Sequence, residues 1–318
     1  MPKTGLEPSG NSIPEENRNP VHRYFSFFLY HLHTIYLFNC NDVDIIITGL
    51  CFAALNASVA PDISMGPRVA PGDILRSMPK SVLWSWSNLF LFQLQNQRQS
   101  NAVAEDRVNK PWRPIASGRI TPDQATLLMH LMYPTVIITA WAVGGLGPCI
   151  IQTAFSLWYN EYGGGANPFL KNLHTAIGLT VLVCGPLEIT TQQASVFGEG
   201  RMVVWLLIIV AALSTTAHAQ DFRDMEGDKA AGRSTIPLLI GDFMARMMVA
   251  SGVLVWTLTA CYFWDASWKH GIPACISGAL VIGNLFRDRT RQGDVLSYRL
   301  YPLWMVGLFS LPCLKANL

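Results

Sequence analysis

Asp221, Asp224 and Asp228 stand at i, i+3 and i+7 in the stretch DFRDMEGDKAAGR, residues 221–233. On a helix they share one face. Three carboxylates so placed repel one another unless a cation lies between them. Hard oxygen donors suit Mg²⁺, which takes a few carboxylates and leaves its other positions to water and phosphate. Lys229 and Arg233 follow, and both suit phosphate oxygens. Taken alone, the pattern also fits a solvated acidic cap, because the apolar run Met202 to Ala219 precedes it as a membrane span would.

A second polar cluster strengthens the chemical reading. Residues 96–114 read NQRQSNAVAEDRVNKPWRP. Asn101 and Glu105 are i, i+4 partners, Asn96 lies five residues before Asn101, and Asp106 adds a second carboxylate. Amide oxygens also bind Mg²⁺, so Asn96, Asn101, Glu105 and Asp106 are candidate metal ligands beside Asp221, Asp224 and Asp228. Pro111 and Pro114 stop any helix and fix an extended strap that holds Lys110 and Arg113 in place. Asn109, Lys110, Arg113, Lys229 and Arg233 are the expected substrate-binding residues. Two clusters of oxygen donors, each followed by cations, make up the set that a diphosphate needs. The competing reading is a pair of basic loops with no chemistry.

The elements that must position these clusters are membrane helices. The chain has 318 residues, 50% of them hydrophobic and only 14% charged, against about 25% charged in a soluble domain. Mean hydropathy is positive. The composition predicts an all-α, polytopic membrane protein held in a lipid bilayer. A net charge of +2 without a basic tract gives no reason to expect nucleic acid, and nothing points to an obligate protein partner. None of the 7 cysteines forms a CxxC pair, so neither a disulfide framework nor a zinc site is expected.

Residues 1–22 are rich in Pro, Asn, Glu and Ser and are expected to be a disordered tail before a transmembrane domain over 23–318. Tyr24 to Cys40 is short and aromatic, as an interfacial helix would be. Nine spans are then expected, at 43–60, 74–94, 121–143, 149–159, 173–189, 202–219, 243–263, 272–286 and 300–314. Nine spans put 17 of the 23 Lys and Arg residues on one side, which orients the charged loops toward the cytosol.

At this level of detail the chain resembles the UbiA superfamily of intramembrane prenyltransferases. DRVNKPWRP at 106–114, SGRI at 117–120, DFRDMEGDKAAGR at 221–233 and TIP at 235–237 carry the likeness. The resemblance implies about nine transmembrane helices around a central cavity, where two Asp-rich motifs bind a prenyl diphosphate through Mg²⁺. It carries directly to Asp221, Asp224 and Asp228. The first motif departs from the family's usual Asn-Asp-x-x-Asp-x-x-x-Asp: Asp106 keeps the last Asp, while Gln99 and Ala102 stand at the two earlier positions. That variant is similar to the fungal membrane-bound terpene cyclase branch, which implies cyclisation of farnesyl diphosphate in secondary metabolism. A fungal source would make the endoplasmic reticulum the expected membrane.

The implied chemistry is ionisation of an allylic diphosphate, with the leaving group stabilised electrostatically and water excluded from the carbocation. Trp84, Trp86, Tyr133, Trp141 and Trp205 are candidate faces for that cation. A cyclase closes the cation on an alkene of the same chain. A prenyltransferase passes it to an aromatic or other acceptor. Glu188, a carboxylate inside an expected span, is the leading candidate catalytic base in either case, ahead of His130 and His174. A non-catalytic transporter or lipid-binding protein is the alternative from another class.

Overall fold

The computed structural model describes residues 20–317 except Ala194 and Glu199. The expected tail therefore falls outside the described residues through position 19, and Pro20 to His22 open the first helix. The described residues contain helices and no strand. In chain order the α-helices are α1 (Pro20–Asn39), α2 (Val43–Ala57), α3 (Pro71–Gln97), α4 (Ser100–Asn109), α5 (Pro122–Val143), α6 (Leu146–Glu161) and α7 (Pro168–Thr191). They continue with α8 (Arg201–Thr216), α9 (Asp221–Ala230), α10 (Ile236–Ile240), α11 (Asp242–Phe263), α12 (Trp268–Arg287), α13 (Arg291–Phe309) and α14 (Leu311–Asn317). The described residues through Tyr36 belong to a unit of their own; the packing and the site described below lie within residues 37–317.

Each of the nine expected spans is helical over most of its length, although α2 stops at Ala57 and the last is broken at Ser310. Length and apolarity by themselves single out four: α5, α7, α11 and the run Arg201–Ala230, or five if α1 and α2 together make one broken span. The other helices are shorter or carry more polar residues, as α3 does with Arg76, Lys80 and a run of buried Ser, Asn and Gln.

Local signals set the ends. Thr121 caps α5 through a reciprocal box with Gln124, and Pro122 fits the first turn. Asn167 caps α7 by accepting from the amides of Phe169 and Leu170, so α7 begins at Pro168, five residues before the expected span. That extension puts Lys171 inside the helix rather than in a loop.

α7 is the central element: its residues from Thr180 through Thr191 are all buried, and it packs on α2, α3, α6 and α8. One close approach fixes α3 against it. The Trp84 ring occupies the space that a side chain at Gly185 would need, since a Cβ there would lie 2.3 Å from the ring, and its Nε1 donates to the Gly145 carbonyl at 3.1 Å. Gly145 holds φ at +76°, which a residue with a side chain adopts only with strain. The apolar core runs along α2, α7, α8, α11, α12 and α13.

Candidate active site

Helices α4 and α9 carry the two polar clusters, and they pack against each other. Each follows a long helix after a break: α4 comes after α3 across Arg98–Gln99, and α9 after α8 across a 3₁₀ turn at Ala217–Gln220. The sequence reasons are visible. Polar residues follow each apolar run, and Pro111 lies just past the end of α4, so the strap 110–120 is non-helical. Together α4 and α9 close one end of a cavity of about 250 Å³.

Nine of the expected site residues line that cavity: Asn96, Glu105, Asp106, Lys110, Arg113, Asp221, Asp224, Asp228 and Arg233. Charges from one cluster meet those of the other. Lys110 Nζ lies 3.0 Å from Asp224 Oδ2, and Arg233 pairs with Glu105. Within the first cluster Arg113 holds both oxygens of Asp106, at 3.0 and 3.1 Å. The cations expected to face phosphate thus face carboxylates here, because in a buried site opposite charges satisfy one another. Burial raises the Asp106 carboxyl against the pull of Arg113 and Lys110. Burial also lowers the Lys110 ammonium, despite Asp224, and the Arg233 guanidinium.

The remaining expected residues lie elsewhere. Asn101 is exposed, and its side-chain oxygen accepts from the next amide in the chain, Ala102 N–H. Lys229 is exposed and does not reach the cavity. Asn109 is buried between the motif helices, where its Nδ2 donates to the Asp224 carbonyl at 3.1 Å, so it braces the site rather than lining it. Glu188, the candidate base, also lies apart from the cavity. It sits 17 residues beyond Lys171 on α7, about 25 Å at the helical rise of 1.5 Å per residue. There its Oε1 accepts from Val196 N–H at 2.8 Å, away from the cavity lining.

The aromatic expectations also change. Trp84 packs on Gly185, Trp86 stacks on Phe90, Trp205 lies against Phe263 and Trp264, Trp141 is 76% exposed, and Tyr133 receives Gln95 Nε2; none lines the cavity. The rings that do are Phe92, Phe155, Tyr159, Tyr298, Tyr301 and Phe309. His130 is exposed on α5, whereas His174 lines the cavity within an edge of Trp158 and Tyr159.

Several functional candidates were missed. Lys171 Nζ reaches Asp221 Oδ1 at 2.7 Å from the first turn of α7; the Asn167-Pro168 cap was the signal that could have placed it. Arg223 lies 3.5 Å over the Tyr298 ring and 3.6 Å from Asp224. Asp42 and Asp44, at the head of the expected 43–60 span, line the cavity too, and Gln93 Nε2 donates to Asp42 at 2.7 Å.

The donor set fits a divalent cation that shares its shell with phosphate. Among the described residues no three His, Cys, Asp or Glu side chains are gathered tightly enough to hold an ion alone. Mg²⁺ at such sites needs only one or two carboxylates besides phosphate and water. Asp221 Oδ2 and Asp228 Oδ2 are buried without a hydrogen-bond partner, and so is Asn109 Oδ1. A buried oxygen with no donor is costly to keep, and a cation at this end of the cavity would satisfy it.

The model of the UbiA prenyltransferase family matches residues 101–306. The fumagillin beta-trans-bergamotene synthase of Aspergillus fumigatus is 32% identical over 287 residues, covering 88% of this chain and 92% of that protein. The somaliensene A/B synthase of Streptomyces somaliensis is 31% identical over 244 residues, 74% of this chain and 79% of that one. In fold, the chain is similar to a UbiA homolog from Archaeoglobus fulgidus solved with GPP and Mg²⁺, with a TM-score of 0.58 at 12% identity, covering 88% of this chain and 99% of that one.

Proposed function

This chain belongs to the UbiA prenyltransferase family, and we propose that it is a membrane-bound terpene cyclase that ionises a prenyl diphosphate, farnesyl diphosphate by preference, and closes the chain on itself. The observation that carries the reading is the division of the cavity. Carboxylates and cations from α4, α7 and α9 gather at one end, while mainly apolar and aromatic side chains, with a few hydroxyls, His174 and the Gln152 amide, line the rest. Two terpene synthases that match most of the chain favour cyclisation over transfer. Family membership sets aside the non-catalytic transporter reading.

Asp221, Asp224 and Asp228, with Glu105 and Asp106 facing them, are the groups we assign to the metal. Bound there, Mg²⁺ would neutralise the diphosphate and stabilise it as a leaving group. Lys110, Arg113, Lys171, Arg223 and Arg233 would hold the diphosphate oxygens and fix the C1–O bond against the apolar chamber. When that bond breaks, its electron pair leaves with the diphosphate. The π pair of a distal alkene then forms a C–C bond to C1, and proton loss from a neighbouring carbon to a basic oxygen restores an alkene. Tyr159 and Phe155 line the cavity and are the rings we assign to the cation, and the apolar part of the lining keeps water from quenching it.

We further infer nine spans with the α4 and α9 end on the cytosolic side, following the bias of Lys and Arg to those loops, and an endoplasmic reticulum location. The family's own name keeps one second reading open, transfer of the prenyl group to an aromatic or other acceptor. Membranes containing the protein, given farnesyl diphosphate and Mg²⁺ without acceptor, separate the two. A cyclic hydrocarbon seen by gas chromatography–mass spectrometry and missing from an Asp224→Ala control is the expected result. Turnover that appears only when a phenolic acceptor is added would replace the cyclase with the transferase.

A further inference from the structure

Gln152 is one of several polar side chains in the cavity lining that this chemistry leaves unused, beside Thr175, His174 and the hydroxyls of Thr48, Ser156 and Thr180, which bond within the fold. Gln152 of α6 is 4% exposed and lines the cavity, yet its Oε1 is buried with no hydrogen-bond partner. Opposite it stands Gly178 of α7. A Cβ there would lie 3.6 Å from Oε1 and 4.0 Å from Nε2, so the amide faces the side-chain-free position of α7. Phe155, Leu179, Leu182 and Val183 of α6 and α7 add apolar side chains to the lining, and the Ser156 hydroxyl, one turn along α6, donates to Gln95 Oε1 instead. Buried amides are almost always paired, and this one is not satisfied within the fold, which points to a group in the cavity.

Depth says which part of a substrate that group is. Gly178 is seven residues beyond Lys171 on α7, about 10 Å along the axis. Lys171 holds Asp221 at the charged end. The diphosphate itself takes up part of that distance, so Gln152 stands level with the carbons just past C1. Ring closure transfers charge there: the alkene's π pair bonds to C1, and the alkene's other carbon is left positive. The carbonyl oxygen is the negative end of the amide dipole. In a chamber that excludes water, a fixed dipole acts on a charge far more strongly than it would in solvent.

We propose that Gln152 is a specificity-determining residue, whose amide oxygen stabilises the cyclised carbocation and so selects the ring closure over premature proton loss. The proposal rests on the cyclase reading. The test compares wild type with Gln152→Met, a side chain of similar shape without the dipole, under saturating farnesyl diphosphate and Mg²⁺. Diphosphate release and the hydrocarbon pattern are measured in parallel. The expected result is a fall of about tenfold in the ratio of cyclic to acyclic product, equivalent to about 1.4 kcal/mol, with diphosphate release reduced far less than in Asp224→Ala. An unchanged ratio overturns the proposal and leaves the cyclase reading standing. Should Gln152→Met not fold, Gln152→Asn carries the test: its oxygen is withdrawn by one carbon and shifts the ratio in the same direction by a smaller factor, and no shift overturns the proposal. A wild type that forms no hydrocarbon from geranyl, farnesyl or geranylgeranyl diphosphate removes the cyclase reading and this proposal with it.

Discussion

The Asn109 side chain fills the place where residue 227 would carry a Cβ. A Cβ built on Gly227 would lie 2.2 Å from Asn109 Nδ2 and 2.4 Å from its Cγ. This contact lets α4 and α9 approach closely, and Asn109 uses that approach to donate to the Asp224 carbonyl at 3.1 Å. The whole amide, not just its tip, stands in the way of a larger residue. Gly227→Ala is therefore expected to destabilise the protein by about 1–3 kcal/mol and to lower turnover with it. Melting in detergent checks the first. The pair is also expected to be non-additive: Gly227→Ala placed on Asn109→Ala should cost less than on wild type. Equal costs in the two backgrounds would disconnect the residues.

Lys110 and Asp224 cross between the two clusters at 3.0 Å. Asp224→Ala removes a proposed metal ligand and leaves Lys110 facing no carboxylate at that point. By analogy with the loss of one electrostatic group in a preorganised site, turnover should fall about 10²–10³-fold. Lys110→Met should fall by a similar factor, because it removes both the partner of Asp224 and a diphosphate contact. Initial rates of diphosphate release measure both. Rates within threefold of wild type would exclude this end of the cavity as the reaction centre.

How much of this was legible in the chain is a matter of range. Both clusters could be read because their donors lie within about three helical turns of each other. The pairings between them could not: Lys110 and Asp224 are 114 residues apart, and Glu105 and Arg233 are 128 apart. The aromatic candidates failed for a related reason. Trp84 and Trp205 sit on spans as expected, but the face each shows is set by glycines and rings on other helices, Gly185 and Gly145 for one and Phe263 and Trp264 for the other. Gln152 carried no signal, since a lone amide in an apolar run becomes informative only when its partners are seen to be missing.

Glu188 was the most attractive base in the chain and is expected to be dispensable for chemistry. It lies off the cavity lining, and one oxygen is already committed to Val196 N–H at 2.8 Å. Glu188→Gln keeps an oxygen for that amide, so turnover should stay within about threefold of wild type and stability should change by no more than about 1.5 kcal/mol, the scale of one hydrogen bond. A loss of a hundredfold or more, with the fold intact, would return Glu188 to the reaction.

Chelation tests the metal assignment directly. Asp221 Oδ2 and Asp228 Oδ2 have no donor in the structure, and the proposed role gives them a cation. Treatment with EDTA should abolish diphosphate release, and added Mg²⁺ should restore it. Asp228→Asn should raise the Mg²⁺ concentration needed for half-maximal rate, since a neutral amide replaces an anionic ligand. Activity that survives exhaustive chelation would rule the assignment out.

Behind α9 lies a buried ion pair whose loss should be felt at the site. Arg246 of α11 is 1% exposed and holds Asp294 of α13 with two nitrogens, at 2.7 and 3.0 Å. It also donates to Asp242 at 2.8 Å and to the Leu285 carbonyl at 2.9 Å, and its guanidinium lies 4.3 Å over the ring of Phe222. Phe222 sits between Asp221 and Arg223, so the guanidinium ties three helices to the face of α9 opposite the cavity. Removing one partner of a buried pair strands the other, at about 3–5 kcal/mol. Arg246→Met should therefore lower the melting temperature sharply. Converting Asp294 to Asn as well relieves the stranded charge and should recover part of that loss, which a melting series in detergent would register. The double variant still lacks the cation over Phe222. If Arg246 also steadies α9, the double variant will regain stability while its Mg²⁺ requirement stays raised; recovery of both together would limit Arg246 to holding the fold.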